Sequence, residues 1–382
     1  MIYADYNGSA PLTPEVKDYL IARLEKGPFA NPNAIHSLGA NTLLKMENAR
    51  SLCAKYLGAH PAQLTFNSGA TEGISTVFHS VLALNQKKVI IISSIEHSAV
   101  VNTANYYASL GFILKVLPVN ANGVIELEIL KEWFQEFNSQ IAMVAIMAAN
   151  NETGVIQPYQ AVNQLCQDGQ VPYLCDTTQF IGKTPFNFKE SNVDYAVCSG
   201  HKLGAMTGTG LLLAKNPETL KALIIGGGQE KNHRGGTQHY IGNETLAIAL
   251  KAVTDNFSRI DELSKKRQEF ENKIKKSFPK VVVLGENAPR LSTTTYIAYP
   301  GLHGQAVQIE LESQDIFVTT SSACSDNMPV TSKVLRAMNV SDAIGRGVVR
   351  LSIGLNSPTT YYDELFTGLS KAYAKLEKVN SF

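Results

Sequence analysis

Lys202 closes the stretch Cys198-Ser199-Gly200-His201-Lys202 and is followed by Gly204, Gly208 and Gly210. A lysine amine held away from water gives up its proton readily and condenses with carbonyl groups, so Schiff-base chemistry is within its reach. A surface loop residue is the alternative for a lysine beside glycines. Asp176 ends a second apolar run, Val171-Pro172-Tyr173-Leu174-Cys175. A carboxylate there can pair with a protonated ring nitrogen, or simply cap a turn. Similar polar groups gather at Asn67 to Glu72, at Glu96-His97 and at Asn150-Asn151-Glu152-Thr153-Gly154. Each follows an apolar run. Taken alone, an Asn-Asn-Glu sequence is a turn; taken together, these junctions suggest one crevice at the carboxyl ends of strands. Cys324 stands in a small polar stretch, Thr319 to Asn327, after Ile316-Phe317-Val318. The setting suits a mobile loop carrying a thiolate nucleophile. A packing residue is the alternative, and it is the reading for Cys53, Cys166, Cys175 and Cys198.

The elements that must position these groups are visible as alternating patterns. Apolar runs at 89–92, 141–146, 171–175, 193–197 and 210–214 read as strands. Helix-length stretches at 69–84, 99–109 and 160–166 fall between them. Strands without polar alternation are expected where helices cover both faces of a parallel sheet, which argues for an α/β class. Glu72 in the first turn suits a helix start near Ala70 and Thr71, whose free N–H groups would favour an anion. From 245 to 278 one long, charge-dense helical segment is expected, of the kind that bridges domains. Beyond it, strands at 280–284, 291–298, 316–319 and 348–353 alternate with helices at 305–311, 332–338 and 360–376, a smaller α+β unit.

Composition narrows the function classes. The 382 residues are 44% hydrophobic and 18% charged, with 34 Lys+Arg against 33 Asp+Glu. A net charge of +1 offers no strong positive field for direct binding of nucleic acid or an anionic membrane. Five widely spaced cysteines form neither a secreted disulfide framework nor a Cys-x-x-Cys metal site, so no metal is expected. No apolar run approaches the ~20 residues of a membrane helix, and no secretory leader is expected at the N-terminus. A reducing, cytoplasmic setting is the expectation. No Gly-x-Gly-x-x-Gly opens the first strand–helix unit, which disfavours a nucleotide-binding dehydrogenase.

Blocks spread from residue 3 to residue 354 resemble the cysteine desulfurases, the iron–sulfur-assembly and nitrogen-fixation type within the class V aminotransferases. They read YADYNGSAPLTPEV (3–16), NPNAIHSLG (31–39), FNSGATEG (66–73), EHSAV (96–100), NNETGVIQP (150–158) and DTTQFIGK (176–183). SGHKLGAMTGTG (199–210), GGGQE (226–230), RGGTQ (234–238), SSACS (321–325) and VVRLSIG (348–354) follow in family order. The resemblance implies pyridoxal-phosphate fold type I: a large domain at 11–257 with a mostly parallel seven-stranded sheet covered by helices. A small α+β domain at 258–382 completes it, with residues 1–10 joining the two.

It also implies roles. Lys202 would carry pyridoxal 5'-phosphate as a Schiff base, and Asp176 would face its ring nitrogen. Gln179 would face its phenolic oxygen, and His97 would stack on the ring and assist proton transfers. Ala70, Thr71, Ser199 and His201 would cradle the phosphate, and Thr237 would reach the phosphate of a second subunit in a homodimer. Asn151 and Arg350 would hold the substrate, because a planar guanidinium clamps a carboxylate with two parallel hydrogen bonds. Cys324 would take sulfur from free L-cysteine as a persulfide, releasing alanine, and pass it to an acceptor protein. An iron–sulfur scaffold or a protein of tRNA or cofactor thiolation would be that acceptor. Selenocysteine lyase, cysteine sulfinate desulfinase or another pyridoxal-phosphate reaction of this family is the alternative. Departures from the family pattern fall at Asn7-Gly8-Ser9-Ala10, at 326–330, at Lys231-Asn232-His233 and at Gln238-His239-Tyr240.

Overall fold

The structure, a computed structural model, describes residues 1–320 and 331–379. Its strands are β1 (Ile2–Tyr3), β2 (Leu64–Asn67), β3 (Val89–Ser93), β4 (Ile113–Leu117), β5 (Ile141–Ala145), β6 (Tyr173–Asp176), β7 (Tyr195–Ser199), β8 (Gly210–Ala214), β9 (Val282–Val283), β10 (Thr294–Ala298), β11 (Ile316–Phe317) and β12 (Val348–Ser352). Seven of them form one sheet in the order β2-β8-β7-β6-β5-β3-β4. β8 runs antiparallel to both its neighbours, and the other pairings are parallel.

Both faces of this sheet are covered, which explains the uninterrupted apolar runs. Successive strand residues point to opposite faces. Val89 and Ile91 accordingly pack with Val144, Cys175 and Leu213 on one side. Ile90 and Ile92 pack with Ile74, Val77, Phe78 and Val197 on the other. The parallel arrangement brings the carboxyl ends of β3, β5, β6 and β7 to one edge. The turns that leave them carry Glu96-His97, Asn150-Asn151, Thr177 to Gln179 and Gly200 to Lys202.

The C-terminal elements build a three-stranded antiparallel sheet, β12-β10-β9, and β1 pairs in parallel with β11. Phe270, Ile274, Val307, Leu311, Val349 and Tyr373 are among the residues of their shared core. The N-terminal segment starts beside these strands, where Ser352 N–H donates to Ala4 O, and ends where Ala10 N–H donates to His201 O.

The single long helix expected at 245–278 is a correction. It is two helices, Tyr240–Thr254 and Ile260–Ser277, separated by a tight turn at Phe257–Arg259. The break falls on Thr254-Asp255-Asn256, where Thr254 Oγ1 donates to Leu250 O and Asn256 Nδ2 to Ala252 O. Such side chains compete for backbone partners and favour helix ends. The C-terminal strands are also shorter than their apolar runs. Among the described residues no helix is long and apolar enough to cross a membrane.

Candidate active site

A cavity of about 510 Å³ opens where the strand ends meet. Lys202 ends the turn Gly200–Lys202 after β7, and its Nζ donates to Asn7 O at 2.8 Å and Gly8 O at 2.5 Å. Asp176, the buried last residue of β6, accepts the Thr178 N–H on Oδ1 at 2.9 Å. Thr178 Oγ1 is buried beside the cavity without a partner. Gln179 is buried; its Nε2 donates to Asn7 O at 2.9 Å and its Oε1 accepts from Lys183 Nζ.

The helix Ala70–Leu82 starts on Gly69, whose φ of +150° is open to glycine and which has no side chain to cap it. A Cβ on Gly210 would meet Gly69 Cα at 2.5 Å, so this approach also requires glycine at 210. Ser199 Oγ accepts the Ala70 N–H at 2.8 Å. Thr71 lines the cavity beside them. His201 Nδ1 lies 3.2 Å from Ser9 Oγ, and burial together with the Lys202 charge pushes the imidazole down to about 4.

His97 caps the helix Ser98–Ser109, with Nδ1 accepting the Ala99 N–H at 3.1 Å. That bond needs an unprotonated Nδ1 and leaves the neutral ring's proton on Nε2. Burial lowers the His97 pKa, opposed by Asp176 and reinforced by Lys202 and Lys333. Arg350 donates from Nη2 to Asp5 Oδ1 at 2.6 Å and from Nη1 to Asn151 O at 2.9 Å. Its Nε is buried without a partner.

The cavity therefore unites Ala70, Thr71, His97, Asn151, Asp176 and Gln179 with Ser199, His201, Lys202 and Arg350. Thr237 is exposed and does not line it. Cys324 lies outside the described residues. Cys53, Cys166, Cys175 and Cys198 are buried and unpaired, and burial raises each thiol, Cys198 to about 12, so none forms a thiolate readily.

Residues 2–363 match the family described as aminotransferase class-V. The chain belongs to that family. Within the family it stands with the cysteine desulfurases. It is 30% identical over 384 residues to cysteine desulfurase IscS of Dictyoglomus turgidum, covering 100% of this chain and 96% of the relative. A solved NifS-like protein superposes with a TM-score of 0.89 at 30% identity, over 98% of this chain and 99% of that one. SspA, solved in complex with cysteine, aligns at 27% identity and TM-score 0.82, covering 94% of this chain and 100% of that one. The α/β fold with its mostly parallel seven-stranded sheet is the one these family members share.

Several residues that shape the site carry no role in the motif reading. Asp5 and Asn7 of the N-terminal segment hold Arg350, Gln179 and Lys202. Glu96, wholly buried, accepts the Ser93 hydroxyl at 2.5 Å and the Met147 N–H at 3.0 Å on Oε1, while Oε2 has no partner. Burial pushes this carboxyl up to about 8. Lys183, inside the DTTQFIGK block, is buried as well, against Asn7 and Gln179. Lysine following Phe180-Ile181-Gly182 is the one signal in the sequence that a cation enters the core there.

Proposed function

We propose that this chain is a pyridoxal-phosphate-dependent cysteine desulfurase working as a cytoplasmic homodimer. It moves the sulfur of L-cysteine onto Cys324 and hands it to an acceptor protein, an iron–sulfur scaffold or a thiolation protein. Neither nucleic acid nor membrane is a direct partner. The reading keeps the division into 11–257 and 258–382. The observation that carries it is the single cavity that joins Lys202, Asp176, Gln179 and Arg350.

The residues present fit the cofactor. A helix start on Gly69, which has no capping side chain, with the Ser199 hydroxyl on the Ala70 N–H and His201 beside the cavity, suits a phosphate. Asp176, buried and bonded on Oδ1 by a backbone N–H, suits a cationic ring nitrogen, and the orphaned Thr178 hydroxyl lies next to it. Lys202 would hold the aldehyde carbon, Gln179 the phenolic oxygen, and His97 the ring face. When bound, pyridoxal phosphate supplies an electron sink that labilises bonds at the substrate's Cα and Cβ.

The chain's own groups do the rest. Arg350 grips the substrate carboxylate and is itself aimed by Asp5 and by Asn151 O. Lys202, once released, is the base that moves the Cα proton, and its two carbonyl partners in the N-terminal segment keep Nζ beside the cavity. His97 stays neutral at pH 7 and offers Nε2 for proton traffic near the sulfur. The Cys324 thiolate attacks that sulfur. An S–S bond forms, the C–S bond breaks with its electron pair left on carbon, that carbon is protonated, and alanine leaves.

Incubation of the purified protein with L-cysteine and a thiol reductant tests this reading. Equal amounts of alanine and sulfide are expected. Cys324→Ser should lose sulfide production and keep the visible absorption band, whereas Lys202→Ala should lose that band. Full sulfide release from Cys324→Ser, or an unchanged band in Lys202→Ala, would contradict the assignment.

A further inference from the structure

Lys183 is a buried lysine without a part in the chemistry above. Its Nζ donates to Asn7 Oδ1 at 2.6 Å and to Gln179 Oε1. Asn7 is a hub with every polar group engaged. Its N–H donates to Ser352 Oγ at 3.0 Å, and Nδ2 donates to Asn151 O at 3.2 Å and Thr294 Oγ1 at 3.1 Å. Its carbonyl accepts from both Gln179 Nε2 and Lys202 Nζ.

The two ends of an amide are distinguished only by their partners. Here Lys183 faces one end of Gln179 with an amine, and Asn7 O faces the other with a carbonyl. Reversing the amide would set oxygen against oxygen at Asn7. The carboxamide nitrogen therefore keeps one N–H on Asn7 O and has one left for the cavity that Gln179 lines. An apolar side chain of similar length at 183 would fill the space without desolvating an amine, but it would leave Gln179 Oε1 and Asn7 Oδ1 without this donor.

We propose that Lys183 is a positioning residue, holding the Gln179 amide so that an N–H faces the phenolic oxygen of the cofactor. The proposal rests on the pyridoxal-phosphate reading given above. Burial pushes the Lys183 amine well below its ordinary range, with Lys202 and Arg350 adding to the shift and Cys198 and Asp5 opposing it. Even uncharged, the amine keeps two N–H groups for its two oxygen partners.

The test is a pH titration of the visible band that the cofactor acquires on linkage to Lys202, measured on holoenzyme. A donor at the phenolic oxygen favours its negative charge, so the linked nitrogen loses its proton at lower pH. Lys183→Met should move the midpoint up by about one pH unit, the size expected for one hydrogen bond to a charged group. Gln179→Ala should move it similarly, and the double variant no further than either. A lysine that only filled space would lower Tm without moving the midpoint. A wild-type midpoint in Lys183→Met, or a shift that adds in full to that of Gln179→Ala, would overturn the proposal. If Lys183→Met does not fold, Lys183→Leu, which likewise lacks a donor, enters the same comparison, with coupling through Gln179 supporting the proposal and additivity or no shift overturning it. Wild-type protein that acquires no visible band with added pyridoxal phosphate would instead sink the cofactor reading itself.

Discussion

At the scale of single residues, Glu96 and His97 set opposite demands on pH. Burial raises the Glu96 carboxyl to about 8, so the folded protein holds a proton that the unfolded chain has already released. The stability from this group is whole below the ordinary carboxylate value and is lost as pH rises toward about 8. Glu96→Gln removes the titration, and wild type should lose stability more steeply than the variant. The difference in slope reaches at most about 1.4 kcal/mol per pH unit. Urea midpoints between about pH 5 and pH 8 check it, and parallel curves would refute it. His97 and His201 run the other way. Their lowered pKa values make stability whole above the ordinary imidazole value and lost as pH falls below it. Lys202, Asp176 and His97 were legible in the sequence because each stands at the end of an apolar run. Asp5 and Asn7 were not, since the side chains they hold lie more than a hundred residues away, and Lys183, although only four residues from Gln179, is buried by its contact with the distant Asn7.

At the scale of elements, the segment from Gly226 to Gln238 shows how a loop is held. Glu230, Lys231 and Asn232 all have positive φ, a costly conformation for residues with a Cβ. The buried Glu230 carboxylate offsets that cost. Arg50 donates to it at 2.7 and 2.8 Å, and the Phe66 N–H donates at 2.9 Å. Arg234 ties the same segment to Glu72, in the first turn of the helix that would bind phosphate. Glu230→Ala leaves Arg50 with only Glu47 and Leu64 O as partners and should cost about 1.5–3 kcal/mol. Lys231→Gly, exposed at φ +56°, should instead stabilise by about 0.5–1 kcal/mol. Denaturant unfolding of the two variants checks this, and equal losses would contradict it. β3, β5, β6, β7 and β8 were readable as apolar runs, whereas β2, buried but half polar as Leu64-Thr65-Phe66-Asn67, was not. β4 was not, because it is the sheet edge and most of Ile113 to Leu117 is at least partly exposed. The helix break at Asp255 was hidden because its cause is local competition for carbonyls, which leaves the charge pattern on both sides intact.

At the scale of the whole molecule, the apolar surface is unevenly spread. Of the nineteen large apolar side chains exposed among the described residues, nine fall between Leu12 and Leu52, and Leu223, Ile224 and Ile225 add three near Thr237. Surface of that kind favours a second copy of the chain. In the proposed homodimer, Ile35→Glu with Leu38→Glu should give a monomer in sedimentation and weaken cofactor retention at least tenfold, because the proposed contact of Thr237 with the neighbouring phosphate would be lost. A monomeric wild type would contradict this. The central claim is that sulfur leaves the cavity on Cys324. Mass spectrometry after one turnover of unlabelled L-cysteine without reductant tests it most directly. The account predicts one alanine per active site and one added sulfur atom on the peptide carrying Cys324. Alanine formed with that peptide unmodified would contradict it.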